Sequence, residues 1–225
     1  SMQEKMTEIV SELRLVGTRR HLNLVAMHTC VLTTDSLWSV CEYMEFGAVA
    51  DALQVLDMLE MSEAVMARIL RDAAQGIAFL NSVGLAHRDI RSDNLLVNAQ
   101  GITKLTDMSH AAPLPLRLEA LSYTTSRPMG AIYWLSPEAT QRKPCDMTVD
   151  MWALGIVAYE LMEGQPPHME FPELKALYLI STNGAPPLKQ NPDRCWSNEI
   201  RAFVAECTRF DCRQRPIAQD VLDMS

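Results

Sequence analysis

The stretch Thr148–Glu163 constrains the rest of the chain most strongly. It reads Thr-Val-Asp-Met-Trp-Ala-Leu-Gly-Ile-Val-Ala-Tyr-Glu-Leu-Met-Glu, apolar nearly all the way round a helix instead of along one stripe. A helix of that pattern has no face to give to water and belongs inside a core. Gly164 and Pro166-Pro167 end it. No apolar run in the chain approaches the roughly 20 residues that a membrane span needs, so other elements of the chain must cover this helix. At 225 residues the chain is long enough for one domain or two small lobes around a real core. Its 48% hydrophobic and 21% charged content is that of a globular chain.

The remaining elements can be read in chain order. Met6, Ile9, Val10, Leu13 and Val16 fall at helical spacing, which predicts an amphipathic helix over 3–16 that ends near Gly17. Apolar runs at 24–32 and 37–41 flank the turn cluster Thr33-Thr34-Asp35-Ser36 and predict a β-hairpin. A connector over 42–47 leads to a weaker helix at 49–59. Ser62 is a good N-cap for a long helix running to about Ser82, with apolar positions at Val65, Met66, Ile69, Leu70, Ala73, Ala74, Ile77 and Leu80. Leu95–Val97 and Thr103–Leu105, joined through Asn98-Ala99-Gln100-Gly101, read as two short strands. Residues 107–138 contain Pro113, Pro115, Pro128 and Pro137 with little periodicity, and a connection that long inside a domain is functional or mobile. Helices around 172–181, 198–208 and 217–224 complete the chain.

Composition excludes several function classes. The net charge is −8, and no basic run interleaves with aromatics, so nucleic acid is not an expected partner. The six cysteines are dispersed without a C-x-x-C pair and read as reduced thiols of a cytoplasmic protein. The five histidines show no metal-ligand spacing. Glu4 and Lys5 near the start, with no apolar segment behind them, do not read as a signal peptide, and Ser1-Met2 reads as a tag remnant before a start Met.

Between the long helix and the first short strand lies His87-Arg88-Asp89-Ile90-Arg91-Ser92-Asp93-Asn94. The pattern H-R-D-x-x-x-x-N resembles the protein-kinase catalytic loop. Leu105-Thr106-Asp107-Met108-Ser109 resembles the K-L-T-D-F-G stretch. The segment from Gly130 to Glu138 resembles G-T-P-Y-W-M-A-P-E, and that from Val149 to Ile156 resembles V-D-I-W-S-L-G-I. With Glu163-Gly164-Gln165-Pro166-Pro167 and the segment from Ala176 to Gly184, the chain is most similar to the PAK-type branch of the sterile-20-like Ser/Thr kinases, over essentially its whole length. The resemblance implies an α+β protein-kinase-like fold. Residues 1–44 would form a truncated N-lobe of one helix plus a hairpin, and 45–225 a mostly helical C-lobe.

The resemblance also implies roles. Asp89 would orient the substrate hydroxyl and accept its proton, and Asn94 and Asp107 would hold Mg²⁺ against the phosphates of ATP. Arg91 stands where the family has the Lys that touches the transferred phosphate. Glu12 corresponds to the helix Glu that pairs with a strand Lys. Cys41 falls at the gatekeeper position, Glu42, Tyr43 and Met44 at the adenine-contacting hinge, and Leu96 joins the nucleotide-contacting set. Asp150 would anchor the catalytic loop, and Arg215 would pair with Glu138. Each has an ordinary reading beside this one: a turn Asn, a strand-end Asp, a solvated helix Glu with Glu8 one turn away, and a plain β-edge for the residues from Cys41 to Met44.

The chain departs from the family pattern in places. No G-x-G-x-x-G and no strand Lys precede Glu12 among the 225 residues. Ser109 replaces a Gly, Met108 a Phe, Arg91 a Lys and Ala131 a Thr, and Arg127 stands at the position of the activating phospho-Thr, with Thr124, Thr125 and Ser126 as neighbouring acceptors. The reading is therefore a Ser/Thr protein kinase-like domain that transfers the γ-phosphate of ATP to protein Ser/Thr. These residues alone would give weak or no transfer, and the alternative is a pseudokinase that scaffolds or regulates. Protein substrates or a partner kinase are the implied partners. A Rho-family GTPase would act only through a region not on this chain.

Overall fold

Helix Thr148–Glu163 forms as expected, and every residue from Thr148 to Met162 is buried. The computed structural model describes residues 20–34, 36–55, 61–114, 131–143, 145–189 and 195–223. The helix expected over 3–16, Glu12 with it, and the positions of Arg127, Thr124, Thr125 and Ser126 lie outside these.

In chain order the elements are β1 (Met27–Leu32), β2 (Leu37–Cys41), α1 (Val49–Val55), α2 (Glu63–Ser82), β3 (Leu85–Ala86), β4 (Leu95–Val97), β5 (Thr103–Leu105), β6 (Ala112–Pro113), α3 (Pro137–Thr140), α4 (Thr148–Glu163), α5 (Glu173–Asn183), α6 (Asn198–Cys207) and α7 (Ala218–Asp223). Short 3₁₀ turns at Ser92–Asn94, Met108–His110, Ala131–Trp134 and Cys212–Gln214 lie between them. Among the described residues the strands form three antiparallel pairs, β1 with β2, β3 with β6 and β4 with β5. No described helix is long and apolar enough to cross a membrane. All six cysteines are free thiols.

Helix α2 starts where its cap predicts, with the Val65 N–H donating to Ser62 Oγ at 3.4 Å. Met66, Ile69, Leu70, Ala73, Ala74, Ile77 and Leu80 form its buried face. Val65 does not join them and is 49% exposed, because the first turn carries it off the stripe. Helix α4 packs against α2 and α6. Its approach to α6 depends on Gly155, where a Cβ would sit 2.7 Å from Cys207 Cβ and 2.9 Å from Thr208 Cγ2.

The hairpin β1–β2 carries a bulge between Met27 and Thr29. The residues just before it fasten it to β5. Val25 N–H donates to the Leu105 carbonyl and Leu105 N–H to the Asn23 carbonyl, both at 2.9 Å. The amide of the buried Asn23 donates to the Thr103 carbonyl at 3.0 Å. Strand β5 is therefore held on one side by β4 and on the other by residues 23–25. The pairing of Leu85–Ala86 with Ala112–Pro113 was not expected from the sequence, and it gives the proline-rich segment after Asp107 its first fixed point.

Candidate active site

The loop 87–94 is shaped from beneath by α4. The N–H groups of His87 and Arg88 donate to the two carboxylate oxygens of Asp150, each at 2.7 Å. Asp150 is wholly buried. Burial pushes its carboxyl up, against the two N–H groups and the nearby Arg88 charge. This grip holds Arg88 at φ 68°, a left-handed conformation that costs a non-glycine residue roughly 1–2 kcal/mol. His87 is buried, and its ring bridges two segments. Nδ1 accepts from the Asp89 N–H at 3.2 Å, and Nε2 donates to the Thr106 carbonyl at 2.9 Å.

Asp89 and Asn94 close the loop on itself. The Asn94 amide donates to the Asp89 carbonyl at 2.8 Å and to Asp89 Oδ2 at 2.9 Å. Both side chains are buried. The Asn94 carbonyl accepts from Thr106 N–H at 3.0 Å, which sets Asn94 beside the strand end that carries Asp107. Asp107 is also left-handed, at φ 57°. Its Oδ1 accepts from the Ser109 N–H at 3.2 Å and from Ser109 Oγ at 2.6 Å.

On the two metal-ligand candidates, Oδ1 of Asn94 and Oδ2 of Asp107 take no donor from this network. Both are hard donors of the kind Mg²⁺ takes when one or two protein oxygens are completed by phosphates and water. Among the described residues no group of three or more His, Cys, Asp or Glu side chains is placed to hold a metal alone. The donor set thus fits a metal that arrives with a phosphate ligand.

Arg91 lies over its own loop. Nη1 is 3.3 Å from Asp93 Oδ2, and Nε is 3.9 Å from Asp89 Oδ2. The next residue, Ser92, donates to Glu160 Oε1 at 2.7 Å, and Trp134 Nε1 donates to Glu160 Oε2 at 3.1 Å. Burial pushes the Glu160 carboxyl up to about 7, with the two hydrogen bonds opposing it.

Along the connector and the strand facing it, Cys41 is exposed at the end of β2, Met44 is buried and Leu96 is half-buried on β4. Glu42 N–H donates to the Ala26 carbonyl at 2.9 Å. Its Oε1 accepts from the Ala26 N–H at 2.6 Å, and both carboxylate oxygens lie 2.8 Å from Lys104 Nζ. The Glu42 side chain therefore faces β5, and its carbonyl is the polar group it has left. The Met44 carbonyl accepts from Gly47 N–H at 3.1 Å. Glu42 C=O and Met44 N–H make no backbone hydrogen bond among the described residues, so one acceptor and one donor stand two residues apart on the connector. That pair matches the donor and acceptor edge of an adenine.

The sequence matches the family described as protein kinase domain over residues 1–225. The chain belongs to the protein kinase domain family. It is 35% identical over 221 residues to serine/threonine-protein kinase pakB of Dictyostelium discoideum, covering 98% of this chain and 25% of that protein. It is 34% identical over 215 residues to pakC of the same organism, covering 95% of this chain and 44% of that protein. Against serine/threonine-protein kinase CLA4 of Eremothecium gossypii the identity is 37% over 231 residues, covering 100% of this chain and 28% of that protein. The kinase domain described here is thus homologous to PAK- and STE20-type Ser/Thr kinases and spans less than half the length of these relatives.

Within this kinase domain the structure brings Asp89, Arg91 and Asn94 into one hydrogen-bonded loop, with Asp107 fastened beside it. It sets Cys41, Glu42, Met44 and Leu96 along the connector and the strand facing it. Glu138 and Arg215 meet as expected, with Nη1 to Oε1 at 2.5 Å and Nη2 to Oε2 at 2.7 Å, and the guanidinium lies over the Trp152 ring at 4.9 Å. Sequence reasoning missed Lys104 and Asn23, which position the connector and β5 from afar. It also missed Glu160, a carboxylate hidden in an apolar helix. Only Glu160 left a signal, as an unexplained charge between Tyr159 and Leu161.

Proposed function

We propose that this kinase domain binds Mg·ATP and phosphorylates Ser and Thr side chains of protein substrates. The observation that carries the proposal is the closed Asp89–Asn94 loop, seated on Asp150 and joined through Thr106 to Asp107. Asp89 would take the hydroxyl proton, its carboxylate oriented by the Asn94 amide. Asn94 and Asp107 would hold Mg²⁺, which supplies charge neutralisation at the phosphates when bound. Glu42 C=O and Met44 N–H would receive the adenine, with Leu96 and Cys41 beside it. Arg91, drawn toward Asp89 and Asp93, would keep positive charge near the phosphate path. A planar guanidinium replaces an ammonium there, and the two differ in reach. A Gly-rich phosphate loop and its lysine are not among these residues, so transfer by these residues alone is expected to be weak.

One observation favours a second reading, a pseudokinase that scaffolds without transfer. Ser109 Oγ donates to Asp107 Oδ1 at 2.6 Å, where a glycine would leave that oxygen only its bond from the backbone N–H. A transfer assay with radiolabelled ATP and a Ser/Thr-bearing protein decides between them. Label on Ser or Thr that depends on Mg²⁺ and is lost in Asp89→Asn supports the kinase reading. Equal label in both proteins, or none in either while Mg·ATP still binds, supports the scaffold.

A further inference from the structure

Away from the catalytic loop, the end of α4, the loop into α5 and the segment after α5 line an open cleft of about 230 Å³. No residue of the loop 87–94 lines it. Tyr159 does. This residue is 3% exposed, and its hydroxyl has no hydrogen-bond partner among the described residues. The hydroxyl is not sealed in the core but opens onto the cleft, where a ligand can reach it. Glu163 and Glu170 stand on the same cleft. Glu163 Oε1 accepts the Lys189 N–H at 2.9 Å, while the exposed Glu170 carboxylate has no partner among the described residues. Burial first, and then the charges of Glu163 and Glu170, push the Tyr159 phenol up to about 12, so it stays protonated and faces both carboxylates as a neutral hydroxyl.

The cleft is built in advance. His168 holds φ 67°, and its Nε2 donates to the Gly184 carbonyl at 2.9 Å, which pins the α4–α5 loop to the end of α5. A left-handed non-glycine residue persists only where its surroundings hold it. Pro167 and Pro186 add rigid, flat wall without hydrogen-bond donors. Among the described residues, Lys189 is the one Lys or Arg on the cleft, and it is exposed. A ligand here must bring positive charge for two carboxylates, several N–H donors, and a shape that slides between proline faces. A guanidinium meets all three, since it is planar, always charged and carries five N–H donors. An ammonium meets only the first fully.

We propose that this cleft is a docking site for an arginine side chain of a partner polypeptide, whose guanidinium engages Glu163, Glu170 and the Tyr159 hydroxyl. The proposal is independent of phosphotransfer and holds for an active kinase or a scaffold alike.

The test titrates the labelled protein with N-acetyl-arginine methylamide and follows amide chemical shifts, with the lysine and citrulline counterparts and CaCl₂ as controls. The expected result is saturable shifts confined to residues around 159–170 and 184–189. Lysine should bind more weakly and citrulline not at all. Glu170→Gln, at an exposed side chain, and Tyr159→Phe, which keeps the ring, should each weaken binding about fivefold, as for loss of a partly exposed ionic or polar contact worth roughly 1 kcal/mol. Equal binding of citrulline, the same shifts produced by Ca²⁺, no saturable shift at these residues, or unchanged affinity in both variants would overturn the proposal.

Discussion

Lys104 Nζ lies 2.8 Å from each carboxylate oxygen of Glu42, joining strand β5 to the connector across 62 positions of sequence. The two side chains are 11% and 24% exposed, so the pair is shielded but not sealed. One end of this bond is two residues from Met44 and the other three from Asp107. The pair thus links the connector to the strand end that carries Asp107.

Replacing Lys104 with Met should therefore affect nucleotide binding more than turnover. Glu42 would keep its bond from the Ala26 N–H but lose its cation. The expected outcome is a stability loss of about 1–3 kcal/mol and a raised KM for ATP with little change in kcat. Urea melts and steady-state kinetics check the two parts.

The same pair has an acid limit. Burial works to raise the Glu42 carboxyl, but the hydrogen bond from Lys104, the Ala26 N–H and the nearby positive charges hold it below its ordinary value. A carboxyl lowered on folding stabilises the fold above its unfolded pKa, and that contribution is lost as pH falls through the folded one. Melting temperatures of the wild type and Glu42→Gln should differ most near neutrality and converge below the ordinary carboxylate range. A constant gap down to acid pH would count against the pair.

Glu160 should behave in the opposite sense. Its carboxyl is raised on folding to about 7, mainly by burial. Between the ordinary carboxylate value and about 7 the folded state holds a proton that the unfolded state has released. Its contribution is therefore full in acid and is lost as pH rises through neutrality. The partners that answer this change are Ser92, Trp134, Arg91 and Asp93. Glu160→Gln keeps an oxygen to accept the Trp134 N–H and offers its NH₂ to the Ser92 hydroxyl, and it should flatten this part of the profile. Denaturant melts at mildly acidic and mildly alkaline pH, compared between the two proteins, measure it.

The Arg215–Glu138 pair, at 0% and 8% side-chain exposure, gives the largest single stability effect expected here. Removing one partner leaves the other charge buried, which typically costs about 3–5 kcal/mol. Arg215→Met and Glu138→Gln should each lower the denaturation midpoint by a similar amount. The double variant should lose much less than the sum of the two.

The sequence made some of this legible and hid the rest for physical reasons. Helix α4 could be read because apolar residues all round a helix have one solution, burial. Helix α2 announced its start through Ser62 and its inner face through the spacing from Met66 to Leu80. The loop 87–94, with Asp107 and Asp150, was legible as a motif whose residue types match the charges that must be held. Strands β3 and β6 were not, since two residues carry no periodicity. Lys104 read as one more strand residue, and nothing local ties it to Glu42. The cleft at Tyr159 arises from three segments that meet only in the folded chain. Val65 shows the limit of spacing arguments in a first helical turn, where an apolar residue at the right interval still faces water.

The most direct test of the central claim, that Asn94 and Asp107 form a working Mg·ATP site in this kinase domain, is the shift in melting temperature with Mg·ATP for the wild type and for Asp107→Asn. Asparagine tolerates the left-handed backbone at this position, so the variant should keep the fold. A ligand that binds only the native state must raise apparent stability in proportion to ln(1 + [L]/Kd). The account predicts a concentration-dependent rise in the wild type that needs Mg²⁺ and is lost in Asp107→Asn. No rise at saturating Mg·ATP, or an equal rise in both proteins, would contradict it.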